Sequence, residues 1–518
     1  MIKIENLNEN FDEVKDKSYF RNLNNFLYKF LILNIIINLL LYYISNEIFA
    51  VITYVVILIF FFINFRVYFR NFFIVLFAHC LVLFLINLTY LTFIGTFLVN
   101  NFIFNRSLED TMINFFYCDL QTYFLANIYI LVYSFSIIIF NNLLPSYYKI
   151  TAIKKISFID LVLDKKKIFI LILLCIFFEL FFYLTDMVGS QQSGGFILKN
   201  QSDKSTWYTQ FYIFVVIFHI FLNVIFLVSC EKTKFIIYDK LFLFVSFVLS
   251  LIFFGFYERR LIIIFFVINF FIYFLISKKK IFSFKKILIY LFSFFIILQS
   301  FAFLNTIRAL TLVSGTDSLR TIIQKGEIFS YFKDEKINKY GKSEFRENLS
   351  FRMFNNHELA TLFYYQRQDS KETLNGELLL NSFIKMIPAV IYPEKNKLIA
   401  GESLIMKITD SPLYRLDTVD SLHSYSYADL GFLGLVIYPI VVNIVFFVIY
   451  KIISIKKILS VSSVYIVAIL CPLITIRAIE GTFIDWFIIM RNIILFIFLF
   501  NFLLSFIIQK KFEIKNEN

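Results

Sequence analysis

Several marks of familiar enzyme chemistry are missing from this chain. It has no C-x-x-C pair: Cys80, Cys118, Cys175, Cys230 and Cys471 are scattered, mostly inside apolar runs. That spacing argues against a disulfide framework or a thiolate metal site, and the cysteines read as small core residues. No Asp-x-Asp occurs, which disfavours a nucleotide-sugar donor handled through a metal. A phosphate-binding glycine loop and an H-E-x-x-H motif are absent as well, so NTP-driven transport and zinc proteolysis are disfavoured. The short alternating segments of a transmembrane β-barrel are lacking, and there is no internal repeat. The N-terminus, "MIKIENLNENFDEVKDKSYF", is polar with mixed charge and reads as a cytosolic lead-in, without the pattern of a cleavable signal.

What the chain does have is apolar surface. Of 518 residues, 59% are hydrophobic and 72 are Phe; an ordinary soluble domain has about 45–50% apolar residues. The expected fold class is an all-α polytopic membrane protein with about twelve transmembrane helices. The spans are expected at 25–45, 48–65, 72–98, 122–143, 168–187, 208–230, 241–257, 261–277, 287–304, 430–450, 458–476 and 483–508. Net charge is +13, but Lys and Arg gather in the loops between spans, and no nucleic-acid motif is present. Membrane lipid is the expected environment, and nucleic acid is not an expected partner.

The basic residues orient the chain. "YYKITAIKKISFIDLVLDKKK" (147–167), "EKTKFIIYDK" (231–240), "SKKKIFSFKK" (277–286), "YKIISIKK" (450–457) and the tail 509–518 all fall on one side with the N-terminal segment 1–24. The positive-inside rule makes that side the cytosol. Spans at 25–304 and 430–508 then flank one large extracytoplasmic loop, 305–429. A loop of that length is usually functional. Within it, "SEFRENLSFRMFNNHELATLFYYQ" (343–366) reads as a helix with Leu349, Met353, Leu359, Leu362 and Phe363 on one side. "LLLNSFIKMIPAVIYPEKNKL" (378–398) is apolar until Pro388 and Pro393 break it, and suits an interfacial or cavity-lining segment.

Against this topology some arginines stand on the unfavoured side. Arg259 and Arg260 in "GFYERRLIII", Arg308 in "NTIRALTLVSG" and Arg477 in "ITIRAIEGTF" lie near the outer boundary. Arg491 lies deeper, within the last span, where an ionisable group costs about 2.5–3.5 kcal/mol and needs a partner. Guanidinium grips phosphate with a planar fork and stays charged when partly desolvated, so a set at one depth suits a lipid-linked diphosphate. Neutralisation by Glu258, Glu480 and Asp485 in local ion pairs is the competing reading. Of four histidines, His79 and His219 sit alone within spans and read as satisfied core groups. His423 stands in a hydroxyl-rich run with Asp420 and Asp429, where a neutral imidazole could accept a proton from a sugar hydroxyl. A loop histidine without chemistry is the alternative.

Three stretches together resemble the Wzy-type polymerases of O-antigen repeat units, which are akin to the O-antigen ligases. They are "GFYERRLIII", the proline-bearing "MIPAVIYPEKN" (386–396) and "DSLHSYSYADLGFLGLVIYP" (420–439). The resemblance covers the hydropathy plan and roughly the C-terminal half. It implies a GT-C-like, metal-independent glycosyltransferase without cofactor in the bacterial inner membrane, both termini cytosolic and the large loop periplasmic. The implied donor is a glycan on undecaprenyl pyrophosphate, and the implied acceptor a lipid-linked repeat unit. A chain-length regulator is the implied protein partner. Carried over by position, Arg259 or Arg260, Arg308 and Arg477 would hold the pyrophosphate. His423 is similar to the ligase histidine near the acceptor, and its short distance to "GFLGL" leaves Asp420 or Asp429 as alternative bases. An O-antigen ligase is the nearest alternative, and a lipid-linked oligosaccharide flippase is an alternative of another class.

Overall fold

The computed structural model describes residues 13–69, 77–99, 101, 118–157, 164–184, 206–232, 236–257, 269, 355–369, 373–387, 391–398, 421–477 and 483–507. Every element among them is helical: α1 Glu13–Ile44, α2 Glu47–Phe69, α3 Phe77–Val99, α4 Leu120–Leu143, α5 Ser146–Ser157, α6 Lys165–Leu184, α7 Thr206–Lys232 and α8 Ile237–Tyr257. In the C-terminal part follow α9 Asn355–Asp369, α10 Glu377–Met386, α11 Leu422–Leu430, α12 Gly434–Ser454, α13 Ser460–Arg477 and α14 Phe483–Ile507. Short 3₁₀ turns cover Pro393–Lys397 and Gly431–Leu433.

Four stretches are long and apolar enough to cross a membrane: Phe20–Ile44, Phe77–Leu98, Leu120–Leu143 and Leu422–Ser454. Shorter apolar helical stretches are Glu47–Phe61, Phe214–Cys230 and Phe496–Phe506. The chain is thus a helical membrane protein. The expected spans at 261–277 and 287–304 lie outside the described residues, save Asn269. α1 is helical from Glu13 onward, and its apolar stretch begins at Phe20.

The residues divide into two compact units. The first comprises 1–157, 350–457 and 473–491. Its central helix is α4, which packs on α1, α3, α9 and α12. Asp119 starts α4 as its N-cap, accepting from the Thr122 amide at 2.6 Å. The turn between α1 and α2 is as short as the sequence suggests. Ser45 takes a left-handed conformation, and Asn46 accepts from the Phe49 amide at 2.9 Å to open α2.

Apolar side chains in this unit face outward as well as inward. Ile32, Leu33, Ile36 and Leu40 of α1 face outward, while Asn34 and Asn38 are fully buried. Large apolar faces of that kind need a lipid environment or a partner. The buried amides are satisfied across helices: Tyr90 donates to Asn34 at 2.5 Å and Tyr54 to Asn38 at 2.6 Å. Asn127 of α4 donates to Tyr54 at 3.0 Å, and Asn356 of α9 donates to Asn127 at 3.2 Å. Interhelical hydrogen bonds of this kind hold helices together where apolar burial gives little drive.

The second unit comprises 158–349, 458–472 and 492–518. Its helices α6, α7 and α8 pack side by side. His219 of α7, with its ring buried, lies 3.0 Å from the Glu179 carboxylate of α6 and 2.8 Å from the Ser246 hydroxyl of α8. Its reading as a satisfied core histidine therefore holds. His79, in the first unit, is buried with Nε2 2.8 Å from Asn24 Oδ1. Cys118, Cys175 and Cys230 are buried and Cys80 half-buried, all as free thiols.

Candidate functional site

The stretch around His423 was expected to be a polar loop. It is instead a short buried helix, α11, whose residues Leu422 to Asp429 are all buried. Ser421 caps its start, with its hydroxyl accepting from the Ser424 amide at 3.3 Å. Gly431 ends the helix at φ +57°, where a side chain would be strained. Gly434 then opens α12 against the backbone of α11. A Cβ there would lie 2.2 Å from the Ser426 carbonyl oxygen. The Asp-Leu-Gly-x-x-Gly pattern is therefore a folding device: one glycine supplies the reversal, and the other lets two helices touch.

The neighbours close over α11 from three sides. Phe363 of α9 packs on Tyr427 in a tilted pair with ring centroids 4.1 Å apart, and Tyr129 of α4 meets Tyr427 edge-on at 5.5 Å. The Tyr129 hydroxyl also donates to the Gly431 carbonyl at 3.1 Å. Leu359, Leu362 and Phe363 of α9 are buried, as the sequence pattern predicts; Leu349 and Met353 lie outside the described residues.

The third neighbour is α10. Asn375 and Gly376, both at positive φ, form the tight turn that leads into it, with the Glu377 amide donating to the Leu374 carbonyl at 3.1 Å. The amides of Leu374 and Gly376 donate to the carbonyls of Ala428 and Asp429, satisfying the open end of α11. The Asp429 carboxylate in turn accepts from the amides of Leu378 (3.0 Å) and Leu379 (3.1 Å), and from the Tyr438 hydroxyl (3.0 Å). It caps the first turn of α10 from outside the helix, where negative charge is favoured.

The other end of α10 is held by cations. Lys395 donates to the carbonyls of Lys385 and Ile387, and Arg491 donates to the Met386 carbonyl at 3.3 Å. The partner that an arginine so deep in a span requires is thus, in part, backbone. Partial burial, then the charges of Arg491 and Lys385, hold the Lys395 amine below its ordinary pKa. Neither Lys385 nor Lys395 forms an ion pair among the described residues. Positive charge at a helix C-terminus is favourable, and three cations at one point make an acceptor-rich group a natural neighbour.

The predicted site residues fare differently. His423 and Asp429 share α11, as described. Asp420, Arg259, Arg260 and Arg308 lie outside the described residues. Arg477 closes α13, and its side chain lies outside the description. The ring of His423 is fully buried, and neither of its nitrogens has a hydrogen-bond partner among the described residues. Buried polar groups are almost always paired, so an unpaired imidazole marks a place where a polar partner is wanting. Asp429, by contrast, has both carboxylate oxygens engaged. The Asn375-Gly376 turn went unnoticed in the sequence, although Asn-Gly is a strong turn signal. Among the described residues there is no group of His, Cys, Asp or Glu that could hold a metal. No known protein family, curated protein or solved structure matches the chain.

Proposed function

We propose that this chain is a membrane glycosyltransferase of the repeat-unit polymerase type. It transfers a glycan from undecaprenyl pyrophosphate to a lipid-linked repeat unit at the outer face of a bacterial inner membrane. The reading includes the finer topology: about twelve spans in a GT-C-like arrangement with both termini cytosolic. The observation that carries it is the unpaired, buried His423 on a hydroxyl-rich helix locked between α9, α10 and α12. A neutral imidazole there has a free nitrogen to take the proton of an incoming sugar hydroxyl. Both oxygens of Asp429 are taken, so its part is to position α10 against α11.

Cleavage of the sugar–pyrophosphate bond leaves negative charge on the departing diphosphate. Arg259, Arg260, Arg308 and Arg477 are the groups proposed to stabilise that charge, and prearranged donors act with little reorganisation. The bond being broken supplies the driving force, so no ATP is required.

The test is glycan chain length in cells carrying Arg260→Ala, Arg308→Ala, Arg477→Ala or His423→Ala at wild-type protein level. Loss of polymerase activity leaves single repeat units where long chains are normally found. Loss of a ligase leaves no attached glycan, and loss of a flippase traps units on the cytosolic side. Wild-type chain length in all four variants rules the proposal out.

A further inference from the structure

A cavity of about 270 Å³ opens where α1 begins and α4 ends. It shares no residue with the site on α11. Among the described residues its charged lining consists of Arg21 and Lys149, with no Asp or Glu. Arg21 is exposed and in no ion pair among the described residues. Lys149 is only 9% exposed, and its one described partner is the backbone carbonyl of Asn141. A buried cation facing no counter-charge is costly, and burial alone lowers its pKa to about 8.

The polar lining points the same way. His79 Nε2 donates to Asn24 Oδ1 at 2.8 Å, and Asn24 Nδ2 donates to Asn142 Oδ1 at 2.6 Å. Asn142 Nδ2 donates to the Tyr28 oxygen. Each amide is oriented by its neighbour, and the Tyr28 oxygen accepts from Asn142, which leaves the Tyr28 hydroxyl proton to be donated; Tyr28 lines the cavity. The chain thus delivers a donor beside two cations, a setting made for an acceptor-only group.

Location narrows the ligand. The cavity sits where the span Phe20–Ile44 starts and the span Leu120–Leu143 ends, beside α5 with its Lys149, Lys154 and Lys155. Lipid phosphates lie at that depth, just outside the hydrocarbon core. The volume falls under the roughly 300–1,000 Å³ of pockets that take whole small molecules, and suits one phosphate with a small substituent. We propose that this cavity binds the phosphate of an anionic lipid headgroup, held by Lys149, Arg21 and Tyr28, with the acyl chains lying outside the protein.

The experiment uses the full chain purified in neutral detergent and reads lipid retention by native mass spectrometry. Phosphatidylglycerol should be retained. Phosphatidylcholine of the same chain length, whose choline offsets the phosphate charge, should be lost. Lys149→Gln and Arg21→Gln should each weaken phosphatidylglycerol retention about tenfold or more, the usual scale for one charge-assisted hydrogen bond. Arg21 is exposed, so its variant keeps the test open should Lys149→Gln fail to fold. Glycerol 3-phosphate should not displace the lipid at equal concentration. Displacement by it would overturn the lipid assignment in favour of a soluble phosphate compound. Equal retention of phosphatidylglycerol by the wild type and Arg21→Gln would overturn the site itself.

Discussion

Replacing Asp429 by Ala probes the joint on which the candidate site rests. The carboxylate accepts from two amides of α10 and from the Tyr438 hydroxyl. Alanine leaves all three donors without this acceptor. Leu378 and Tyr438 are 3% and 1% exposed, so water does not readily replace it for them, whereas the Leu379 bond is only part-buried. An orphaned buried donor costs about 1–3 kcal/mol, giving about 2–6 kcal/mol for the two. The lost charge at the start of α10 adds about 0.3–1 kcal/mol. Relief from burying the carboxylate offsets part of this, so a net loss of about 2–4 kcal/mol is expected. The opening should be local. Hydrogen exchange of the purified protein should speed up across Glu377–Met386 and at the end of α11, and much less in α1 to α3. A companion variant, Tyr438→Phe, removes one donor and should couple to Asp429→Ala by about 1 kcal/mol in a double-mutant cycle. Unchanged exchange over Glu377–Met386 in Asp429→Ala would show that the carboxylate does not anchor α10, and the positioning argument would fail.

Three further outcomes can be checked. Gly434→Ala puts a methyl 2.2 Å from the Ser426 carbonyl, a gap that must widen by about 1 Å, and overpacking of this kind costs several kcal/mol. Folded yield should collapse, whereas Gly431→Ala, strained by its backbone (φ +57°, ψ −132°) but 3.4 Å from Thr373, should cost about 1–3 kcal/mol. His423→Leu replaces an unpaired buried ring with an apolar side chain, so thermal stability should hold or rise while glycan chain length falls; a drop in stability would mean the ring has a structural partner. Lys149 titrates at about 8 in the folded chain and at the ordinary 10.5 when unfolded. Between those values the unfolded state binds more protons at this residue, so its own contribution to stability in lipid-free detergent, read as wild type minus Lys149→Met, should rise with pH by about 3 kcal/mol. The same pH dependence in wild type and Lys149→Met would refute the assignment.

Much of the membrane character was legible because it rests on local composition. A run of Ile, Leu and Phe must leave water whatever surrounds it, and every expected span that falls on described residues carries a helix. The hydrophobic side of α9 could be read for the same reason, since a 3.6-residue period is a property of one segment. His79 and His219 could be assigned to the core because an isolated polar residue in an apolar run has to find a partner across helices.

The neighbourhood of His423 could not be read in that way. Its hydroxyls, tyrosines and aspartate look like a solvated loop, because composition cannot say that α9, α4 and α12 will cover them. Nor could sequence assign Asp429 to α10 instead of to chemistry: the amides it meets lie about fifty positions away along the chain. The sequence alone determined that this is a helical chain built for lipid, with its cations sorted toward the ends of its spans. Only the tertiary structure decided which polar groups are spent on one another, and which lack a match among the described residues: the ring of His423 a hydrogen-bond partner, the amine of Lys149 a counter-charge. Hydrogen bonds and counter-charges are settled between distant segments in three dimensions, whereas the avoidance of water by apolar side chains is settled residue by residue.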